Sequence, residues 1–97
     1  HPGNGVYATW AFVRGSWYPA VTNIGLAPTF LRNERRIETH VLDYDGDEFY
    51  GHRMKIVFRS KIRDEQKFSG IEELQKQIHT DIDSARRLLA LPPQERV

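Results

Sequence analysis

Cysteine is absent from the 97 residues, which removes a disulfide framework and any thiolate metal site and makes the cytoplasm the expected location. No apolar run approaches the roughly 18 residues of a membrane-spanning helix, and no charged-then-apolar leader is present, so no membrane partner is expected. An excess of either charge is missing too: 14 Lys and Arg against 13 Asp and Glu leave a formal +1. Because neutralised phosphates dominate nucleic-acid affinity, that balance argues against a nucleic-acid partner, and any anionic ligand has to be held locally. The common phosphate cradles are lacking as well, since neither Gly-x-x-x-x-Gly-Lys-Ser/Thr nor Gly-x-Gly-x-x-Gly occurs. None of Ser16, Ser60, Ser69 and Ser84 stands in a nucleophile elbow, which argues against covalent hydrolase chemistry.

What is present suffices for a single folded domain over residues 1–97, with 39% hydrophobic and 11% aromatic residues. The start at His1-Pro-Gly-Asn-Gly5 is that expected of a piece cut from something longer. Short β-rich runs follow over Val6–Val13, Trp17–Asn23, Arg36–Leu42 and His52–Ile62, bounded by Gly, Pro, Asn or Asp. Arg14-Gly15 has the length and chemistry of a tight hairpin turn. Ile24–Arg35, with Gly25 and Pro28, reads as a long loop excursion. Beyond Phe68, Ser69 and Glu72 form a capping-box pattern, and Ile71, Leu74, Ile78, Ile82, Ala85 and Leu89 recur at helical spacing until Pro92-Pro93. The expectation is a small antiparallel sheet or barrel over about residues 5–62, with an amphipathic helix over about 70–90 packed on it.

Chemistry is expected at Glu38. A carboxylate on a strand can be aimed at a hydroxyl, and desolvation by Ile37, Val41 and Leu42 would raise its pKa toward that of a working base. Strand alternation groups Glu38 with His40 and Leu42, and Ile37 with Thr39 and Val41, without deciding which face is buried. Asp43-Tyr-Asp-Gly-Asp-Glu48 invites a calcium reading, but an EF-hand loop counted from Asp43 would need glycine where Glu48 stands and glutamate where Met54 stands. It is read as an acidic turn. His1, His40, His52 and His79 have no zinc-ligand spacing. Arg63 and Lys67 beside Phe68 offer either a clamp for an anionic or aromatic ligand or a solvated strand-to-helix junction. Trp10, Trp17, Tyr7 and Tyr18 would suit an oligonucleotide-binding barrel, which the near-zero net charge disfavours.

Taken in order, Gly5-Val-Tyr-Ala8, Ala20-Val-Thr-Asn-Ile-Gly25 with Pro28-Thr-Phe30, Glu38-Thr-His-Val-Leu-Asp43, Phe49-Tyr-Gly51, Ile62-Arg63 with Lys67-Phe68, and Asp83-Ser-Ala-Arg86 resemble the riboflavin kinase family. In bacteria this family typically forms the C-terminal module of a bifunctional FAD synthetase. The resemblance implies an all-β fold, a small antiparallel Greek-key-like β-barrel with one C-terminal helix. It implies transfer of the γ-phosphate of ATP, with Mg2+ or another divalent ion, to the ribityl 5′-hydroxyl of riboflavin, giving FMN. By the same resemblance Glu38 is the catalytic base, Val41, Asp43 and Tyr50 line the nucleotide site, and Arg63, Gln66 and Phe68 lie on the flavin side. Relatives often carry lysine where Gln66 stands, so an ionic contact is not expected there. The family's Pro-Thr-x-Asn motif, which contacts metal and phosphates, is not in this sequence, because no asparagine stands two places after Thr29. No metal ligand is therefore assigned, an upstream adenylyltransferase domain is an expected neighbour, and the chain alone is expected to have little or no kinase activity. The alternative is a flavin-binding or interaction module without chemistry.

Overall fold

The computed structural model describes residues 2–28, 33–45 and 54–93. In chain order these form β1 (Gly5–Val13), β2 (Ser16–Pro28), β3 (Asn33–Val41), β4 (Lys55–Arg63) and α1 (Ile71–Leu88). The strands make one antiparallel sheet ordered β3-β2-β1-β4. Three successive strands with a fourth returning beside the first is the Greek-key order, so the expected fold class, mostly β with one C-terminal helix, is the one observed.

The β1–β2 hairpin turns on Arg14 and Gly15, both at positive φ (48° and 87°), with Val13 opposite Ser16. That is the turn whose twist matches the flanking strands, and Gly15 takes its conformation without a Cβ penalty. From there the structure departs from the expected long loop over Ile24–Arg35. β2 runs on to Pro28, and β3 begins at Asn33, so that Ile24 faces Ile37, Gly25 faces Arg36 and Pro28 faces Asn33. Continuing the ladder satisfies backbone groups that a loop would leave to water, and Pro28 is tolerated at the strand's end. The fourth strand starts at Lys55; His52 and Arg53, included in the expected run, lie outside the described residues.

β1 is central and buried on both faces. One face carries Ala11 and Val13 with Ala20 of β2, closed by Tyr18, Val41, Tyr44, Met54 and Ile56. On that same side a chain of hydroxyls joins three strands, Thr9 to Thr22 and Thr22 to Thr39, each at 2.9 Å. These pairs satisfy one another where water is excluded, Thr9 and Thr22 being fully buried. The other face packs Ala8 and Trp10 against Ala85 of α1 and its C-cap residue Leu89, with Trp17, Val21 and Ile62 around them.

Two features of the helix differ from expectation. Its N-cap is Gly70, in extended conformation and without a side-chain cap bond, so Ser69 and Glu72 do not close a capping box. The helix starts one residue too late for Ser69 to reach its free amides; Glu72 and Glu73 in the first turn and Arg86 and Arg87 in the last complement the dipole instead. The apolar stripe is also only partly used for packing. Ala85 and Leu89 are buried, whereas Ile71, Leu74 and Ile78 stay exposed. The C-terminal half of α1 is thus pinned to the sheet, and its N-terminal half leaves an apolar wall unfilled.

Candidate active site

That wall bounds a cleft of about 440 Å3, within the roughly 300–1,000 Å3 range of small-molecule sites. Opposite Leu74, Ile78 and Ile82 stand Val21 and Asn23 of β2 and Glu38 and His40 of β3; the floor is made by Val6, Arg63 and the segment that carries Glu65, Gln66 and Phe68. The structure therefore brings together Glu38, Arg63, Gln66 and Phe68, four of the residues expected from the sequence. A smaller cleft of about 160 Å3, lined by Asn23, Gly25, Leu26, Arg36, Glu38 and Glu65, adjoins it. Glu38, Glu65 and Asn23 line both and so mark their junction.

Register explains Glu38's placement. It faces Asn23 across the β2–β3 ladder and projects on the helix side of the sheet, as does His40 two residues on. The desolvation expected from its neighbours does not occur. Glu38 is exposed at the cleft mouth, Ile37 lies on the opposite face with 56% of its surface open, and Leu42 is buried past the strand end, its N–H donating to the Pro19 carbonyl at 2.8 Å. Any exclusion of water from Glu38 has to come from a ligand filling the cleft.

Arg63 is held rather than free. Its Nε and Nη2 both donate to the Asp81 carboxylate at 2.9 Å, its Nη1 donates to the Asp64 carbonyl at 3.0 Å, and its guanidinium lies over the Phe68 ring, 5.7 Å from the centroid. Asp81 is 4% exposed and accepts a further bond from Gln77 Nε2 at 3.0 Å. A buried carboxylate with a bidentate guanidinium and an amide is a fully paired arrangement. The fork that the sequence suggested for a ligand is thus directed at the helix, and what it presents to the cleft is the Phe68 ring. Glu65 ties the same segment to β2, accepting from the Leu26 N–H at 3.1 Å. Gly25 permits this, because a Cβ there would stand 2.1 Å from Glu65 Oε1.

Of the residues expected on the nucleotide side, Val41 and Asp43 line neither cleft. Val41 packs on the opposite face of the sheet, with Ala11, Val13 and Ala20. Asp43, at φ 63°, pairs both carboxylate oxygens with Arg86 at 2.9 Å, fastening the end of β3 to the last turn of α1. Tyr50 lies outside the described residues, as do Phe49 and Gly51. The Arg86 guanidinium holds the Asp43 carboxyl below its ordinary value, and the Lys61 ammonium does the same to Asp64. A depressed folded-state pKa adds stability above the ordinary value of 3.8, and the gain is lost as pH falls through the folded value. Unfolding followed by calorimetry should accordingly show a small extra loss of Tm as pH is lowered below about 4, reduced in Asp43→Asn. An Asp43→Asn protein with an unchanged acid limb would contradict the pairing.

Sequence reasoning missed Asn23, Glu65 and Asp81 as site residues. Asp81 carried a usable signal: it is an acid at a core spacing, three after Ile78 and four before Ala85. Asn23 and Glu65 carried none, because their placement follows from strand register and from the path of the 64–70 segment.

The model of the riboflavin kinase family matches residues 1–89. The chain belongs to the riboflavin kinase family. It is 39% identical over 90 residues to a bifunctional riboflavin kinase/FMN adenylyltransferase of Pseudomonas fluorescens, covering 92% of this chain and 29% of that protein. The Bacillus subtilis protein of the same description is 43% identical over 89 residues, covering 89% of this chain and 28% of its own. A riboflavin kinase of Neurospora crassa is 40% identical over 78 residues, 78% of this chain and 33% of the relative. The chain thus spans about a third or less of the length of these relatives. Among solved structures, a Streptococcus pneumoniae chain described as a macrolide-efflux protein superposes with a TM-score of 0.78 at 29% identity, covering 88% of this chain and 28% of that one. Among the described residues, no helix is long and apolar enough to cross a membrane.

Proposed function

We propose that this riboflavin kinase domain phosphorylates riboflavin at the ribityl 5′-hydroxyl, using ATP and giving FMN. One observation supports this best: Glu38 stands free at the mouth of a cleft whose far walls are the apolar face of α1 and the Arg63-backed Phe68 ring. An isoalloxazine ring fits between Phe68 and Leu74–Ile78, with its ribityl chain running toward β3. The hydroxyl oxygen then bonds to the γ-phosphorus, the bond from that phosphorus to its bridging oxygen breaks with the electron pair leaving on ADP, and Glu38 takes the hydroxyl proton. Closing the cleft over the ring would supply the water exclusion that Glu38 lacks in the open site.

Nucleotide contacts are assigned to Val41, Asp43 and Tyr50 by family resemblance. With both Asp43 oxygens on Arg86, its backbone is the part available to a nucleotide. A divalent ion would neutralise phosphate charge in such a transfer. No group of three His, Asp or Glu side chains able to hold one occurs among the described residues. A cytoplasmic location completes the reading, with an adenylyltransferase partner domain of the kind that the names of the bacterial relatives describe. The decisive experiment, on the full-length protein that carries this domain, is titration of riboflavin against its own fluorescence, followed by assay of FMN with Mg-ATP. Quenching with FMN formation supports the kinase, quenching without turnover favours a flavin-binding module, and neither refutes both.

A further inference from the structure

Arg36 is unusual among the cations at this end of the molecule. Arg35, its neighbour, is engaged, Nε on Asn4 Oδ1 at 3.1 Å and Nη2 on the Pro2 carbonyl at 2.7 Å. Arg63 is locked to Asp81. Arg36 has no ion-pair or hydrogen-bond partner among the described residues, and neither does Glu38. Two unpaired, opposite charges stand two residues apart on one strand, on the same face, and both line the smaller cleft. Across the ladder from Arg36 is Gly25, whose missing side chain makes room for the Glu65 carboxylate, and that carboxylate, held by the Leu26 N–H, walls the cleft opposite Arg36. The smaller cleft is lined mainly by polar groups and lies on the side of Glu38 away from Phe68 and the apolar helix wall.

We propose that Arg36 is a second catalytic residue of the phosphoryl transfer, its guanidinium receiving the non-bridging oxygens of the γ-phosphoryl group in the smaller cleft while Glu38 faces the hydroxyl. The inference rests on the kinase reading above. Its physical basis is that an unpaired guanidinium matches three equatorial phosphoryl oxygens with a planar donor fork, about 7 Å along the strand from the base. That separation leaves room for a phosphorus atom between the two groups. Arg36 forms and breaks no covalent bond; it stabilises charge on the group in flight as the proton goes to Glu38 and the electron pair to ADP. A solvated edge-strand arginine would instead contribute nothing to turnover.

Arg36→Gln and Arg36→Lys decide between these, measured in the full-length protein for FMN formation, for riboflavin Kd by fluorescence and for Tm. The expected result is kcat lower by about 10²-fold in Arg36→Gln, partial recovery in Arg36→Lys, and riboflavin Kd and Tm within about twofold and 2 °C of the parent. An Arg36→Gln protein that turns over like the parent overturns the proposal and leaves the kinase reading standing. A parent that binds riboflavin yet makes no FMN overturns the kinase reading and this proposal with it.

Discussion

Glu38→Gln is expected to lower FMN formation by about 10²- to 10⁴-fold, the range for loss of a general base, while riboflavin Kd changes less than about twofold. The split follows from geometry. The side chain is exposed, makes no hydrogen bond among the described residues, and shares no core contact, so removing its charge costs the fold almost nothing. In the proposed binding mode affinity depends instead on Phe68 and the exposed apolar side chains of α1, which the substitution leaves alone. Rapid-quench assay of FMN beside a fluorescence titration checks both halves. Equal losses in kcat and affinity would place Glu38 in ground-state binding, and unchanged turnover would remove it from the chemistry.

Asp81→Ala should have the largest effect on stability. It deletes the buried partner of Arg63, leaving a guanidinium whose side chain is 19% exposed with no counter-charge and Gln77 with no acceptor. Breaking a buried pair from one side costs about 3–5 kcal/mol. At about 4–8 °C per kcal/mol for a domain of this size, a fall in Tm of more than about 10 °C follows. Riboflavin affinity falls as well, because the guanidinium that backs the Phe68 ring is no longer fixed. The double substitution Arg63→Met with Asp81→Leu separates the two effects: it removes both charges, so most of the stability returns while riboflavin binding stays weak. A stable double variant with parental affinity would show that the pair holds the fold and not the site.

How much of this was legible in the sequence depends on distance along the chain. The Arg14-Gly15 turn, the strand carrying Glu38 and the 3.6-residue periodicity after Phe68 are local signals, and each appeared where expected. The 24–35 segment misled because Gly25 and Pro28 are turn residues by composition, and only pairing with β3 makes them strand. The helix face misled differently: Ile71, Leu74 and Ile78 have core spacing, but α1 leaves the sheet before reaching them, and the cleft they wall cannot be read from periodicity. Arg63 was singled out for its fork, whose true partner lies on the next element. Its pairing with Asp81 is a tertiary fact, hinted at by an acid on an apolar face.

The central claim is that one ligand spans from the Phe68 ring to Glu38. A crystal structure with riboflavin and a non-hydrolysable ATP analogue tests it most directly. The isoalloxazine ring should lie between Phe68 and Leu74–Ile78, with the 5′-hydroxyl within about 3 Å of the Glu38 carboxylate. A ring bound elsewhere, or a ribityl chain directed away from β3, would contradict the account.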